Sequence, residues 1–212
     1  RVATSDETVS SLRVPSLVEV NGGVFAVAEA QCTKDGSSFT GIASQILAKT
    51  ADKEKKEELL KDAKNTQFLE EGDSTDRKKV DVSRPTTVVH GSDIYMLVGK
   101  YESKGATVCQ VASEAPPWGL LLVRGNVSEG NDKKIHWNDT YHIPCMFTVE
   151  HHSSLGGLIG GGGSGIKMQD GTLVFPVEGT KKRRMEKGFA GPILAGYGDL
   201  EAVEGDVCRW LQ

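Results

Sequence analysis

Arg13 stands at the head of an apolar run, SSLRVPSLVEVNGGVFAVAEAQC, residues 10–32. A guanidinium there is either a solvated cap or a clamp for an anionic ligand, because its planar fork matches a carboxylate through two parallel bonds. The histidines His136, His142, His151 and His152 lie among Asn and Ser neighbours with no helical i, i+4 pair, so they read as loop histidines and no metal is expected. The run GGGGSG at 160–165 formally satisfies GxGxxG. Dinucleotide binding needs that loop to open a helix, whereas the next residues, IKMQDGTLVFPV, carry a hairpin pattern. No cofactor is therefore expected. Cys32, Cys109, Cys145 and Cys208 lack CxxC spacing, which argues against zinc and leaves disulfides and free thiols both open. Asn126-Val127-Ser128 and Asn138-Asp139-Thr140 are N-glycosylation acceptors and point to the secretory route.

Strands must position these groups. Residues 12–32 read as two strands turned at Asn21-Gly22-Gly23, and 86–101 as two more around His90-Gly91-Ser92-Asp93. PWGLLLVRG, 117–125, is a further strand. A glycine turn at Gln169-Asp170-Gly171 leads into TLVFPV. Glycine turn plus apolar run occurs three times, at NGGVFAVA, HGSDIYMLV and QDGTLVFPV, which suggests propeller blades carrying insertions. KTADKEKKEELLKDAK, 49–64, is highly charged and helix-favouring and reads as a solvated helix or a disordered insertion, and Lys181-Lys182-Arg183-Arg184 reads as an exposed basic turn.

The chain has 212 residues, 38% hydrophobic and 25% charged, which suits one large all-β domain or two small ones. A net charge of −4 gives no reason to expect nucleic-acid binding. No apolar run is long enough to cross a bilayer as a helix. Arg1 at the head, with no initiator methionine or signal peptide, reads as the start of a processed or cut fragment.

SLRVPSLVEVNGGVFAVAEA resembles the Arg-(Ile/Val)-Pro segment that opens the sialidase propeller. Together with SRPTTVVHGSDIYMLVGKY, PPWGLLLVRGNV, IHWN and GGLIGGGGSGIKMQDGTLVFPVEGTKK it is similar to the trypanosomal trans-sialidase superfamily, over roughly residues 8–182 and in the family's order. AVAEAQC and FTGIAS resemble its adhesin-type surface glycoproteins more than its enzymes. The resemblance implies an all-β fold, the N-terminal half of a six-bladed propeller over 1–182, with 49–64 as a charged helical insertion. Full-length relatives would add a lectin-like sandwich and a lipid anchor of the GPI type. Half a propeller leaves strand edges unpaired, so such a chain is expected to be marginal or aggregation-prone.

The family's chemistry is retaining transfer or hydrolysis of sialic acid with a Tyr nucleophile, a Glu partner, an Asp acid/base and three clamp arginines. Carried over by position, Arg13 matches the first clamp arginine. A further sugar-contacting arginine falls at Gln31, which offers a donor but no charge. The acid/base falls near Ser37, with Asp35 two residues away as a substitute only if the loop is re-registered. The aspartate that reads the sugar's polar groups falls at Arg84, a charge reversal, and the acceptor-site aromatic falls near Thr107-Val108, where none is present. Tyr95, Tyr101 and Trp118 fit strand and core positions better. The remaining clamp and nucleophile positions lie beyond this segment. The resemblance thus implies a surface glycoprotein without catalysis, at the cell surface or secreted, meeting sialylated glycans or host cell-surface and matrix proteins. An active sialidase half and a sialoside-binding module anchored by Arg13 are the alternatives.

After VEGTKK the likeness stops. A permitted back-translation of 188–212, read one base later, gives VSLVLYSRDTETWKLSKGMSADGCS, which resembles the family's next segment with a degenerate S-x-D-x-x-x-W box. Residues 183–212 are therefore expected to be an unrelated tail read out of frame.

Overall fold

The computed structural model describes residues 1–47, 58–60, 62–71, 78–102, 118–130, 133–143, 155–181, 187–195, 200–203 and 207–210. Three sheets, paired mainly antiparallel, follow one another along the chain. The first is a meander of β1 (Thr8–Val20), β2 (Gly23–Lys34), β3 (Ser37–Ile46) and β4 (Thr66–Gln67), paired in that order. A two-stranded ribbon, β5 (Glu70–Glu71) with β6 (Lys78–Lys79), leads to the second. That sheet holds β7 (Thr86–His90), β8 (Asp93–Glu102), β9 (Trp118–Val127) and β10 (Ile135–Ile143), again a meander. The third is built from β11 (Leu155–Gly160), β13 (Ile166–Lys167), β14 (Leu173–Lys181), β15 (Lys187–Ala195), β16 (Leu200–Val203) and β17 (Val207–Trp210). Between β11 and β13 the chain gives β12 (Gly163–Ser164) to the second sheet, in parallel with β7. Successive meanders of this kind are propeller blades, as the three glycine-turn repeats imply.

The turns are local chemistry. Asn21 and Gly22 have φ of 50° and 70°, the pair of positive values that a two-residue type I′ hairpin requires. Asp35 and Gly36 do the same between β2 and β3, at 50° and 77°.

β2 is buried on both faces. Phe25 and Val27 join Ile94, Met96, Val98, Leu121, Val123 and Trp137 in a core between the first and second sheets. Ala26, Ala28, Ala30 and Cys32 point the other way, where small side chains leave room for Leu60 and Phe68. Burying a Phe or Leu contributes about 1.5–3 kcal/mol, so this seam is a principal tie between the sheets. A second tie is polar. Gln67 on β4 donates its Nε2–H to the Trp137 carbonyl at 2.7 Å and accepts the Trp137 N–H at 3.2 Å, standing in for a neighbouring strand.

The glycine run holds the third sheet against the other two. A Cβ on Gly162 would overlap Val14 of β1, on Gly160 the Arg84 carbonyl before β7, and on Gly165 the Val174 carbonyl of β14. The run is a close-packed strand crossing, which fits the hairpin reading of IKMQDGTLVFPV.

One expectation is corrected at its described end. Residues 48–57 and 61 lie outside the described residues, so most of the helical insertion at 49–64 does too. Its described end is not α-helical. Leu60 has φ +61° and donates its N–H to Gln45 Oε1 at 2.7 Å, and only a 3-10 turn, Ala63–Asn65, comes after it, capped by Asp62. Tertiary contacts override the helix-favouring charge pattern there. Residues 187–195, whose alternation is poor, nonetheless form β15, paired with β14 from Lys187 to Ala195. The Lys181–Arg184 turn lies outside the described residues beyond Lys181.

Candidate functional site

Glu29 gathers three of the carried-over substrate-site positions, Arg13, Gln31 and Arg84. It sits on the face of β2 that carries Phe25 and Val27 and is 3% exposed. Arg13 stands directly opposite it on β1. Its Oε1 accepts the Gln31 side-chain N–H at 2.6 Å, and its Oε2 accepts the Arg84 backbone N–H at 2.8 Å. Buried carboxylates must find donors, and here the donors are the chain's own.

Arg84 precedes Pro85 and has φ +53°. Its guanidinium makes two bonds to Glu178 of β14, at 2.7 and 2.6 Å, with Gly161 O at 3.4 Å as a weaker third contact. Glu178 raises its pKa further above the ordinary arginine value. The charge reversal read at this position therefore has a structural counterpart: the positive group is neutralised inside the fold.

Arg13 is exposed, and its side chain makes no hydrogen bond or ion pair among the described residues. The ladder between β1 and β2 is irregular just after it, between Arg13 and Ser16, and Val14 is held at φ +47°. Such a bulge re-aims the side chains beside it. Arg13 is thus available as an anion anchor, with one cation and no second one offered by Arg84.

Asp35 is not brought to this cluster. It occupies the tip of the β2–β3 hairpin, exposed, six residues beyond Glu29, about 20 Å of extended strand. The re-registered loop that an acid/base role needs is absent, because Lys34 pairs with Ser37 and the turn closes on Asp35-Gly36. Thr107 and Val108 lie outside the described residues, as do Cys109, Cys145, His151 and His152. Tyr95 is buried in the second sheet, and Trp118 and Tyr101 lie within β9 and β8. Cys32 is a buried free thiol whose pKa burial pushes up, which suits packing rather than reactivity. His136 and His142 lie on β10 rather than in a loop, and His136 is exposed there.

A cavity of about 330 Å³ opens beside Gln31, lined also by Ser38, Phe39, Thr40, Lys79, Asp81 and Ser83. Its charges are already engaged. Asp81 Oδ1 accepts from Thr40 Oγ1 at 3.1 Å, from the Ser83 N–H at 3.0 Å and from the Ser83 hydroxyl. Lys79 Nζ lies 3.1 Å from Glu7 and over the Phe39 ring. Hydroxyls and an amide could meet a polar ligand there.

Glu29 and Glu178 were not singled out by sequence reasoning. Glu29 carried a signal: a lone carboxylate in GVFAVAEAQC, a strand otherwise apolar or small on both faces. Glu178 carried none, since a glutamate after LVFPV suits an exposed strand end equally well.

A family model described as BNR repeat-like domain matches residues 14–195. A sialidase from Trypanosoma cruzi is 30% identical over 106 residues, 47% of this chain and 9% of that protein. Among solved structures, a mutant of Trypanosoma rangeli sialidase displaying trans-sialidase activity aligns with TM-score 0.53 and 25% identity, covering 82% of this chain and 27% of the other. Trypanosoma rangeli sialidase in complex with the inhibitor DANA aligns with TM-score 0.50 and 21% identity over 93% and 34% respectively, a likeness of fold. The chain thus spans about a third or less of the length of these proteins.

Proposed function

The chain belongs to the BNR repeat-like family and to the trypanosomal trans-sialidase superfamily within it, and from that premise we propose that it is a non-catalytic member serving attachment at the cell surface. The observation that carries this reading is the commitment of Arg84 to Glu178. A position that would read the sugar's polar groups has become an internal ion pair. Gln31 is likewise spent on Glu29, and Asp35 is spent on a turn. Host cell-surface or matrix proteins are the proposed partners, and a GPI-type lipid anchor in full-length relatives is the proposed membrane link.

The purified chain should release no fluorophore from a fluorogenic sialoside above the catalyst-free rate. Its binding to host cells or matrix should be indifferent to Arg13→Ala. Turnover would overturn the reading in favour of an active sialidase or trans-sialidase.

The exposure of Arg13 favours one second reading, a sialoside-binding module without turnover. It predicts sialoside binding that Arg13→Ala abolishes. Residues 183–212 are proposed to be read out of frame. The nucleotide sequence across codons 180–212 tests this, because the adjacent frame must encode the family's next segment.

A further inference from the structure

Asn126 and Asn138 are twelve residues apart in sequence and touch in space: Asn138 Nδ2 donates to Asn126 Oδ1 at 3.0 Å. Both side chains are exposed. Two neighbouring strands bring them together. Asn126 is paired with His136, and the ladder slips between Trp137 and Asp139, so that Asn138 is the extra residue of a bulge. Trp137, at 3% exposure, is anchored inward, and the bulge turns Asn138 out beside Asn126. Each is the acceptor of its own sequon.

We propose that these two sequons form one composite N-glycosylation site that carries a single glycan in the folded protein, on either asparagine but not on both. In the step itself an asparagine Nδ2 bonds to the anomeric carbon of an oligosaccharide held on a lipid pyrophosphate. The sugar–phosphate bond breaks, the lipid pyrophosphate leaves, and Nδ2 gives up one proton to the transferase. The two Nδ2 atoms lie within roughly 5 Å of each other, from the hydrogen bond plus the width of one amide. The first sugar of a glycan is bulky, so two cannot start side by side while the asparagines keep their contact and the bulge its shape.

Timing sharpens the exclusion. Ser128, the hydroxyl residue of the first sequon, is locked in the folded β9–β10 turn. Its Oγ accepts the Lys134 N–H at 2.9 Å, and its own N–H donates to Lys134 O at 2.8 Å. Transfer to Asn126 must therefore precede closure of the hairpin. A chain that gains both glycans before closure must then fold with two sugars in the space of one.

The proposal rests on the secretory placement of the chain, and forced secretion separates the two. The full chain is expressed behind a cleavable secretion leader in a eukaryotic cell. Intact mass gives the glycan number, and enzymatic release in water enriched in heavy oxygen marks each formerly glycosylated asparagine as labelled Asp. The secreted protein should carry one glycan, with label divided between 126 and 138, and the doubly modified form should be at least tenfold rarer than the singly modified one. Asn126→Gln and Asn138→Gln should each keep a glycan at the remaining site. Two glycans per secreted chain, no glycan, or label at one asparagine only would overturn the proposal. Absence of the native protein from the surface would instead count against the placement alone.

Discussion

Arg84 and Glu178, ninety-four residues apart, are joined by two short hydrogen bonds that clamp the start of the second sheet onto β14 of the third. Both side chains are about a third exposed or less, at 31% and 29%. Arg84→Ala and Glu178→Ala should each lower stability by about 1–2 kcal/mol, between surface and buried pairs. The double variant should be no less stable than the worse single one. Urea titration of the four proteins checks this, and additive losses would show that the two residues act independently.

Glu7 gives the first sheet a pH dependence. Its side chain is 1% exposed and bonds Arg1 at 2.8 and 2.6 Å, with the Thr4 N–H and Lys79 as further donors. Arg1 is the largest cause holding its carboxyl well below the usual carboxylate range, against the opposing pull of burial. A depressed folded pKa favours the folded state above the unfolded value, about 4.3, and that gain is lost as pH falls toward the folded value. The melting temperature should therefore drop steadily from about pH 5 downwards. Glu7→Gln should cost about 2 kcal/mol at pH 7, less than for a fully buried pair because Arg1 and Lys79 are partly exposed. It should also flatten the acid limb of the profile, as measured by thermal melts from pH 7 to 3.

Gly99 tests the packing of the segment before β7. It has φ +74°, its N–H donates to Ser83 O at 2.8 Å, and a Cβ would overlap the Asp81 carbonyl. Gly99→Ala should destabilise by about 2–4 kcal/mol, from left-handed strain and a displaced backbone together. Circular dichroism melts would reveal it, and a melting temperature within a degree of the parent would refute it.

The turns were legible because they are local. Asn21-Gly22 and Gly91-Ser92 announce their hairpins, and the strands beside them form accordingly. The Asp35-Gly36 turn went unread, although Asp-Gly between alternating residues is a strong short-range hairpin signal, and Asp35 occupies that turn. The Arg84–Glu178 clamp was not legible, because it exists only once two sheets are stacked. The described end of the charged stretch was not legible for the same reason: it is fixed by Gln45, which sequence spacing does not connect to it.

The glycine run at 160–165 has a consequence for inheritance. Any first- or second-base change in a glycine codon replaces the residue, and at Gly160, Gly162 and Gly165 the replacement meets a neighbour already in place. Copies of this gene can drift freely at exposed Leu17 or Ile166, yet along this crossing they are confined to silent changes. A library of random substitutions, sorted for folded protein, should keep glycine there while the strand faces around it diversify.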